Sequence, residues 1–197
     1  MNSPLLAFFD AMNGMNNLDA QIKPLREEYK VVGKAFTVKI PVGDNEIVLK
    51  AIKEARPGDV LVIDAKGDTY RAIAGDFVIG LAQKIGLAGI IVDGVIRDIL
   101  GMKNLHFPVF CKGTTVSASH KNGNGEINVP ISCGGVTISP GDYIIGDADG
   151  VIVIPQKKAL HVLEKGREKE HNDKIRAEIN LKNEVSARQY LENLFKS

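Results

Sequence analysis

The chain has 197 residues and a formal net charge of +1, and its composition, 44% hydrophobic and 25% charged, is that of a soluble globular protein with one sizeable core. A charge so near zero supplies no global field to draw in nucleic acid or an anionic membrane, and no window approaches the ~18 apolar residues of a membrane span. Met1-Asn2-Ser3-Pro4-Leu5-Leu6 lacks the basic start of a secretory leader and only Cys111 and Cys133 are present, so the sequence predicts a cytoplasmic protein without a disulfide scaffold.

Phe8 to Met15 reads as a short helix carrying Asp10, and Leu18 to Leu25 as the connection to a first strand at Ala35 to Ile40. After Gly43-Asp44-Asn45, the residues Ile47, Val48, Ala51, Ile52 and Ala55 recur at helical spacing until Arg56-Pro57-Gly58-Asp59 stops the helix. Val60 to Ile63 is a continuous apolar run, mostly β-branched, and is predicted to be a strand buried on both faces. Gly75-Asp76-Phe77-Val78 then opens an apolar helical run to Ile85, and Ala88 to Ile96 forms a second buried strand ending in Arg97-Asp98.

Beyond this unit, Pro108 to Cys111, Thr114 to Ser117, Ile127 to Ile131 and Gly135 to Ile138 are strand-like, and His120 to Gly125 is a polar loop. Pro140-Gly141-Asp142 enters a hairpin that turns at Asp147-Ala148-Asp149-Gly150 and returns along Val151 to Ile154. It echoes the earlier Pro57-Gly58-Asp59 entry and the Asp64-Ala65-Lys66-Gly67 turn, and it lacks the later acids of a calcium loop. From Lys157 the chain reads as one long charged helix whose sparse stripe is Leu160, Leu163, Ile175, Ile179 and Leu181. So polar a helix gains little on its own core, which suits it to lying across a neighbouring subunit. The two cysteines are predicted to be small buried thiols at strand positions, and Cys133, in Ser132-Cys133-Gly134-Gly135 with no adjacent His or charged partner, is a poor nucleophile candidate.

Two places carry candidate chemistry. At Gly75-Asp76-Phe77-Val78 a helix begins, and its unpaired N–H groups and dipole favour an anion such as a carboxylate; the competing reading is that Asp76 caps the helix. At Asp93-Gly94-Val95-Ile96-Arg97-Asp98 two charges follow directly on a buried strand. Arg97 is suited to a carboxylate or keto oxygen and Asp98 to a hard divalent cation, while a structural ion pair between strand-end charges is the alternative.

Gly75-Asp76, Ala88-Gly89, Val92-Asp93-Gly94-Val95-Ile96-Arg97-Asp98, Glu126 to Ile131, Cys133-Gly134-Gly135-Val136, Pro140-Gly141-Asp142 and Asp147 to Val151 together resemble the RraA-like family. That family includes 4-hydroxy-4-methyl-2-oxoglutarate aldolase, which is also a 4-carboxy-4-hydroxy-2-oxoadipate aldolase, and the regulator of RNase E activity. The resemblance implies a single α/β domain over 1–197, a β/β/α swivelling-domain sandwich with a long charged C-terminal helical extension at about 157–197. It also implies a ring-shaped homotrimer, alone or doubled to a hexamer.

For the site, the resemblance implies that backbone at Gly75, Asp76, Phe77 and Val78 binds a substrate carboxylate and that Arg97 binds the pyruvyl part. Asp76 would orient a catalytic water and Lys121 would be an active-site lysine. Asp98 would anchor Mg²⁺ or Mn²⁺, with Glu170 of a neighbouring subunit's C-terminal helix completing the metal site and Asp173 nearly as well placed. The implied activity is metal-dependent cleavage of a small 2-oxo acid to pyruvate, with oxaloacetate decarboxylation through the same enolate. The alternative is a non-catalytic regulator that binds a ribonuclease. Methyl transfer is disfavoured, because no Gly-x-Gly loop follows the first buried strand. Glu46-Ile47, where apolar residues are expected, points to an altered side-chain specificity.

Overall fold

The computed structural model describes residues 4–196. The run at Val60 to Ile63 shows how the fold is organised, because its residues alternate between two cores. Leu61 and Ile63 pack with the helices on one face of the sheet, whereas Val60 and Val62 pack on the other face with Ile91, Phe110, Ile144 and Val153. A strand buried on both faces needs an unbroken apolar run, and this run supplies it.

Four parallel strands form the centre: β2 (Val31–Lys39), β3 (Asp59–Ala72), β4 (Gly89–Ile96) and β5 (Val109–Cys111). They are joined by α2 (Glu46–Glu54), α3 (Asp76–Ile85) and α4 (Ile99–Leu105), which cover one face. β1 (Lys23–Pro24) pairs antiparallel with β5, and the short strands β6 (Gly113–Thr114) and β7 (Glu126–Ile127) pair with β4 and β2. A separate two-stranded ribbon of β8 (Ile131–Cys133) and β9 (Val136–Ile138) covers the second core. On the other side of β2 lies the hairpin of β10 (Tyr143–Asp147) and β11 (Gly150–Ile154), turning at Asp147-Ala148-Asp149-Gly150 as expected.

The sheet order is β1-β5-β4-β3-β2-β10-β11, and its two edges nearly meet. The Leu18 N–H donates to the Val151 carbonyl, the Val153 N–H donates to the Asn16 carbonyl, and five residues after Leu18 the same segment becomes β1 on β5. One stretch of chain therefore laces both edges into a nearly closed, barrel-like sheet. At the N-terminus α1 (Pro4–Ala11) packs with α5 (Ala159–Asn180) over β10 and β11, burying Leu5, Met12, Ile145, Ile152, Ile154 and Val162.

Several boundaries differ from the sequence reading. The first helix ends at Ala11 rather than Met15, because Asn13 and Gly14 take left-handed backbone conformations. The first long strand begins earlier, at Val31. Asp64 to Gly67 is not a hairpin turn but an irregularity inside β3, where Lys66 and Gly67 have positive φ and the register against β4 jumps from Ile63–Val92 to Asp68–Gly94. The expected strand from Ile127 to Ile131 is broken by Asn128 at φ 56° and by Pro130. Of Thr114 to Ser117, only Thr114 is paired as strand. The C-terminal helix is two helices. α5 stops at Asn180 and α6 (Glu184–Leu194) restarts on a capping box, the Asn183 side chain accepting from Ser186 N–H while the Ser186 hydroxyl accepts from Asn183 N–H.

Candidate functional site

The end of β3 delivers the first part of the site and the end of β4 the second. Past Ala72 the chain runs beside β4, with the Ile73 N–H donating to Val95 carbonyl at 2.9 Å and the Arg97 N–H to Ala74 carbonyl at 3.0 Å. Gly75 therefore lies alongside Arg97 and Asp98. Gly75 is the N-cap of α3, and Gly86, at φ 90°, ends that helix in the left-handed conformation that glycine adopts most cheaply. Both termini of α3 are thus set by glycines that the sequence displays.

Asp98 holds an unusual backbone, left-handed at φ 58° and ψ 42°, where it precedes α4 without a side-chain capping bond. Aspartate tolerates this region better than most residues, at a cost of order 1–3 kcal/mol, and such strain is concentrated at functional sites. Its carboxylate has Arg97 for a partner, Nε to Oδ2 at 3.4 Å, and both side chains remain exposed at 44% and 47%. A pair this open does little for stability. The missing side chain of Gly75 makes room for it, since a Cβ there would run into the Asp98 carboxylate and crowd Arg97 Nε at 3.4 Å.

Asp76 is the first helical residue of α3, not its cap. Its Oδ1 accepts the Phe77 N–H at 2.7 Å, which leaves the N–H groups of Gly75, Asp76 and Val78 for an incoming anion. The Asp76 carboxylate packs against Gly101 of α4, where a Cβ would collide with it. Phe77 is 74% exposed. Arg97, Asp98, Leu100, Thr114, Thr115 and Val116 line an open cleft of about 540 Å³, inside the ~300–1,000 Å³ range of small-ligand sites.

The structure thus brings together Gly75, Asp76, Phe77, Val78, Arg97 and Asp98. Lys121 sits exposed in the 120–125 loop, and among the described residues it forms no ion pair. That loop is anchored beside the segment leading to Gly75, with the Ser119 hydroxyl donating to Ala72 carbonyl at 2.8 Å. Glu170 and Asp173 are elsewhere, on α5, where Glu170 is paired with Lys174 at 2.9 Å and Asp173 with Lys169 and Arg176. Among the described residues no cluster of three or more His, Cys, Asp or Glu side chains is placed to hold a metal. Asp98 fits a cation that keeps most of its water, because it offers one carboxylate, spends it on no cap, and leaves it half exposed in a cradle that a side chain at 75 would fill.

Two features of the site had weak sequence signals. α4 and the Thr114-Thr115-Val116 wall follow the motif without strong periodicity or a standard cap. A buried charge cluster also lies behind the motif. Asp93, 7% exposed, pairs with Lys112 at 2.8 Å and accepts the Gly134 N–H at 2.9 Å, and Lys112 reaches Asp19 at 3.1 Å. Burial works against the Lys112 charge, but the Asp93 and Asp19 carboxylates outweigh it and hold the ammonium pKa above its ordinary value. A lone lysine directly after the apolar Val109-Phe110-Cys111 strand was the available signal. Both cysteines are buried, and burial pushes the Cys111 thiol up to about 11 and Cys133 further, so neither is a nucleophile at neutral pH.

Comparison with known proteins follows the same outline. A family model described as RraA-like, aldolase/RraA, matches residues 6–153. A protein of Halalkalibacterium halodurans named "Putative 4-hydroxy-4-methyl-2-oxoglutarate aldolase" is 56% identical over 191 residues, covering 97% of this chain and 91% of its own. Among solved structures, an uncharacterized protein from Pseudomonas syringae pv. tomato superposes with a TM-score of 0.83 at 26% identity, over 95% of this chain and 89% of that one. The RNA-processing inhibitor RraA from Thermus thermophilis superposes with a TM-score of 0.72 at 27% identity, over 79% of this chain and 94% of that one. No helix of the described residues is long and apolar enough to cross a membrane.

Proposed function

The chain belongs to the RraA-like family, and on that premise we propose that it is a divalent-metal-dependent pyruvate aldolase acting on 4-hydroxy-4-methyl-2-oxoglutarate-type 2-oxo acids. The observation that carries this reading is an under-committed Asp98 carboxylate and Arg97 guanidinium in an open cleft, with the N-terminus of α3 at Gly75 directly beside them.

In this reading the α3 N–H groups at Gly75, Asp76 and Val78 bind the substrate carboxylate, and the Arg97 fork holds the 2-keto oxygen. Asp98, with Glu170 of a neighbouring subunit, would hold Mg²⁺ or Mn²⁺, which supplies Lewis-acid stabilisation of negative charge on the 2-oxo acid. As the 4-hydroxyl proton leaves to a water oriented by Asp76, the C4 carbonyl forms and the C3–C4 bond breaks. Its electron pair becomes the pyruvate enolate, whose oxygen faces Arg97. Water then protonates C3 and releases pyruvate. Oxaloacetate reaches the same enolate by losing carbon dioxide, so one site serves both reactions. The assembly proposed is a homotrimer, alone or doubled to a hexamer, of swivelling-domain sandwiches.

A second reading, a ribonuclease-binding regulator without catalysis, is favoured by the likeness to the Thermus RNA-processing inhibitor. One experiment separates the two. Purified protein with Mg²⁺ is mixed with 4-hydroxy-4-methyl-2-oxoglutarate or with oxaloacetate, pyruvate is followed through a coupled dehydrogenase, and the active species is sized by sedimentation. Pyruvate release that EDTA abolishes, from an oligomer, is expected. Absence of pyruvate with both substrates refutes the aldolase, and a fully active monomer refutes the shared site.

A further inference from the structure

Asp44 and Asn45 take no part in the chemistry above, yet they hold the backbone around it. Asp44 is 3% exposed, and both of its carboxylate oxygens are spent on backbone donors. Oδ1 accepts the Glu46 N–H at 3.1 Å and Oδ2 accepts the Asn122 N–H at 3.0 Å. The Asn45 N–H donates to His120 carbonyl at 3.1 Å, and the His120 N–H donates back to Gly43 carbonyl at 2.7 Å. The residues on either side of Lys121 are therefore both clipped to this dipeptide.

The other face of Asn45 is bound to the opposite wall. Its side-chain amide donates to the Ile73 carbonyl at 2.9 Å, two residues before Gly75. Asparagine at a helix start ordinarily accepts an N–H of the first turn, but Asn45, at the N-cap of α2, makes no such bond. Its Oδ1 is instead buried without a hydrogen-bond partner among the described residues, which costs free energy that a capping role would recover. Helix stability is thus not what this side chain serves. It ties the lysine loop to the strand exit that carries the anion-binding glycine.

We propose that Asp44 and Asn45 are positioning residues that fix the Lys121 loop against the Gly75 segment, so that the lysine ammonium meets a substrate already held at Arg97. The inference rests on the reading of Lys121 as an active-site residue. A long, exposed lysine on a free loop would have to be ordered during each encounter, whereas a loop clipped at 120 and 122 meets that cost on folding.

The test uses the full-length chain and the variants Asp44→Ala, Asp44→Asn, Asn45→Ala and Lys121→Ala, with the Asp44→Ala/Lys121→Ala double variant. Native-state trypsin cleavage after Lys121 reads the loop directly and needs no activity. In Asp44→Ala that cleavage is expected to rise ~10-fold or more, because proteolysis follows the population of the open loop, while the melting transition remains cooperative. Asp44→Asn, which keeps one acceptor, should fall between it and the parent, and Asn45→Ala should raise cleavage as well. With a 2-oxo acid substrate, Asp44→Ala should lower kcat ~10-fold with a smaller change in KM, and it should add nothing to the loss caused by Lys121→Ala. Parent-like cleavage in both Asp44→Ala and Asn45→Ala, or independent multiplicative losses in the double variant, overturns the proposal. If the parent turns over neither substrate, the aldolase reading falls by itself, and the cleavage rates still decide whether Asp44 and Asn45 anchor the loop.

Discussion

Asp93 and Asp98 are five residues apart on one strand and its exit, and they have opposite fates. Asp93 is buried, paired with Lys112 and bonded to the Gly134 N–H, and Lys112 is itself held by Asp19 in the segment that laces the sheet closed. Asp98 is half exposed, sits on a left-handed backbone, makes no side-chain capping bond to α4, and touches one arginine at 3.4 Å. The first carboxylate is committed to the fold, one oxygen to the Lys112 ammonium and the other to the Gly134 N–H. The second has capacity left over, held in place by a cradle that exists because residue 75 has no side chain. Unspent polar capacity held in a fixed geometry distinguishes a site from a structural ion pair more clearly than charge or sequence position does.

Removing the cation of the buried pair should produce the largest loss. Lys112→Ala leaves Asp93 charged and uncompensated, and denaturant unfolding should show about 3–5 kcal/mol of lost stability. A parent-like unfolding midpoint would mean that Asp93 is as loosely committed as Asp98. Asp98→Ala and Arg97→Ala should invert that pattern. Both should melt close to the parent temperature, Asp98→Ala should lose metal-dependent turnover, and Arg97→Ala should lower kcat by ~10² or more with a smaller change in KM. Arg97→Lys should recover part of the loss, because it restores charge without the planar fork. An Arg97→Ala variant that is destabilised but fully active would make the exposed pair structural and dissolve the contrast.

The smallest effect is on pH dependence. Asp19 is held below the usual carboxylate range by the Gln21 N–H and then by Lys112, so its contribution is in place above the ordinary value and fades as pH falls through the lowered one. Lys112 is shifted the other way. Its contribution is in place below the ordinary lysine value and fades as pH rises through the raised one. Melting temperature should therefore be flat through neutrality and fall at both the acid and the alkaline end. Lys112→Ala should reduce both slopes, and an unchanged profile in that variant would remove Lys112 from the linkage.

The sequence made the centre of the molecule legible for physical reasons that do not extend to its periphery. Val60 to Ile63 and Gly89 to Ile96 are apolar runs that nothing but a doubly covered sheet could bury, and Gly75, Gly86, Arg97 and Asp98 punctuate them. Helix α4 was not legible, because its start is a left-handed aspartate instead of a capping one. The division of the C-terminal helix at Asn183 was visible in principle as Asn183 with Ser186, but the charge pattern on either side masks it. Gly75, Asp76, Arg97 and Asp98 are brought together in the fold. Lys121 follows Ser119, which is bonded to Ala72 just before Gly75, whereas Glu170 and Asp173 lie on α5 and are paired with cations of that helix.

The lacing of the sheet bears on the order in which the molecule can be made. Residues 16–18 bond to β11 and residues 23–24 to β5, so the N-terminal segment must wait for partners roughly 85 to 135 positions later in the chain. At ~5–20 residues per second of synthesis, the last of those partners follows on the order of 10 s behind it. During that interval Leu18 and Ile22, which are later buried, have no β11 to cover them. A nascent chain arrested before residue 150 should therefore leave this segment open to protease, and release of the remaining strand should close it.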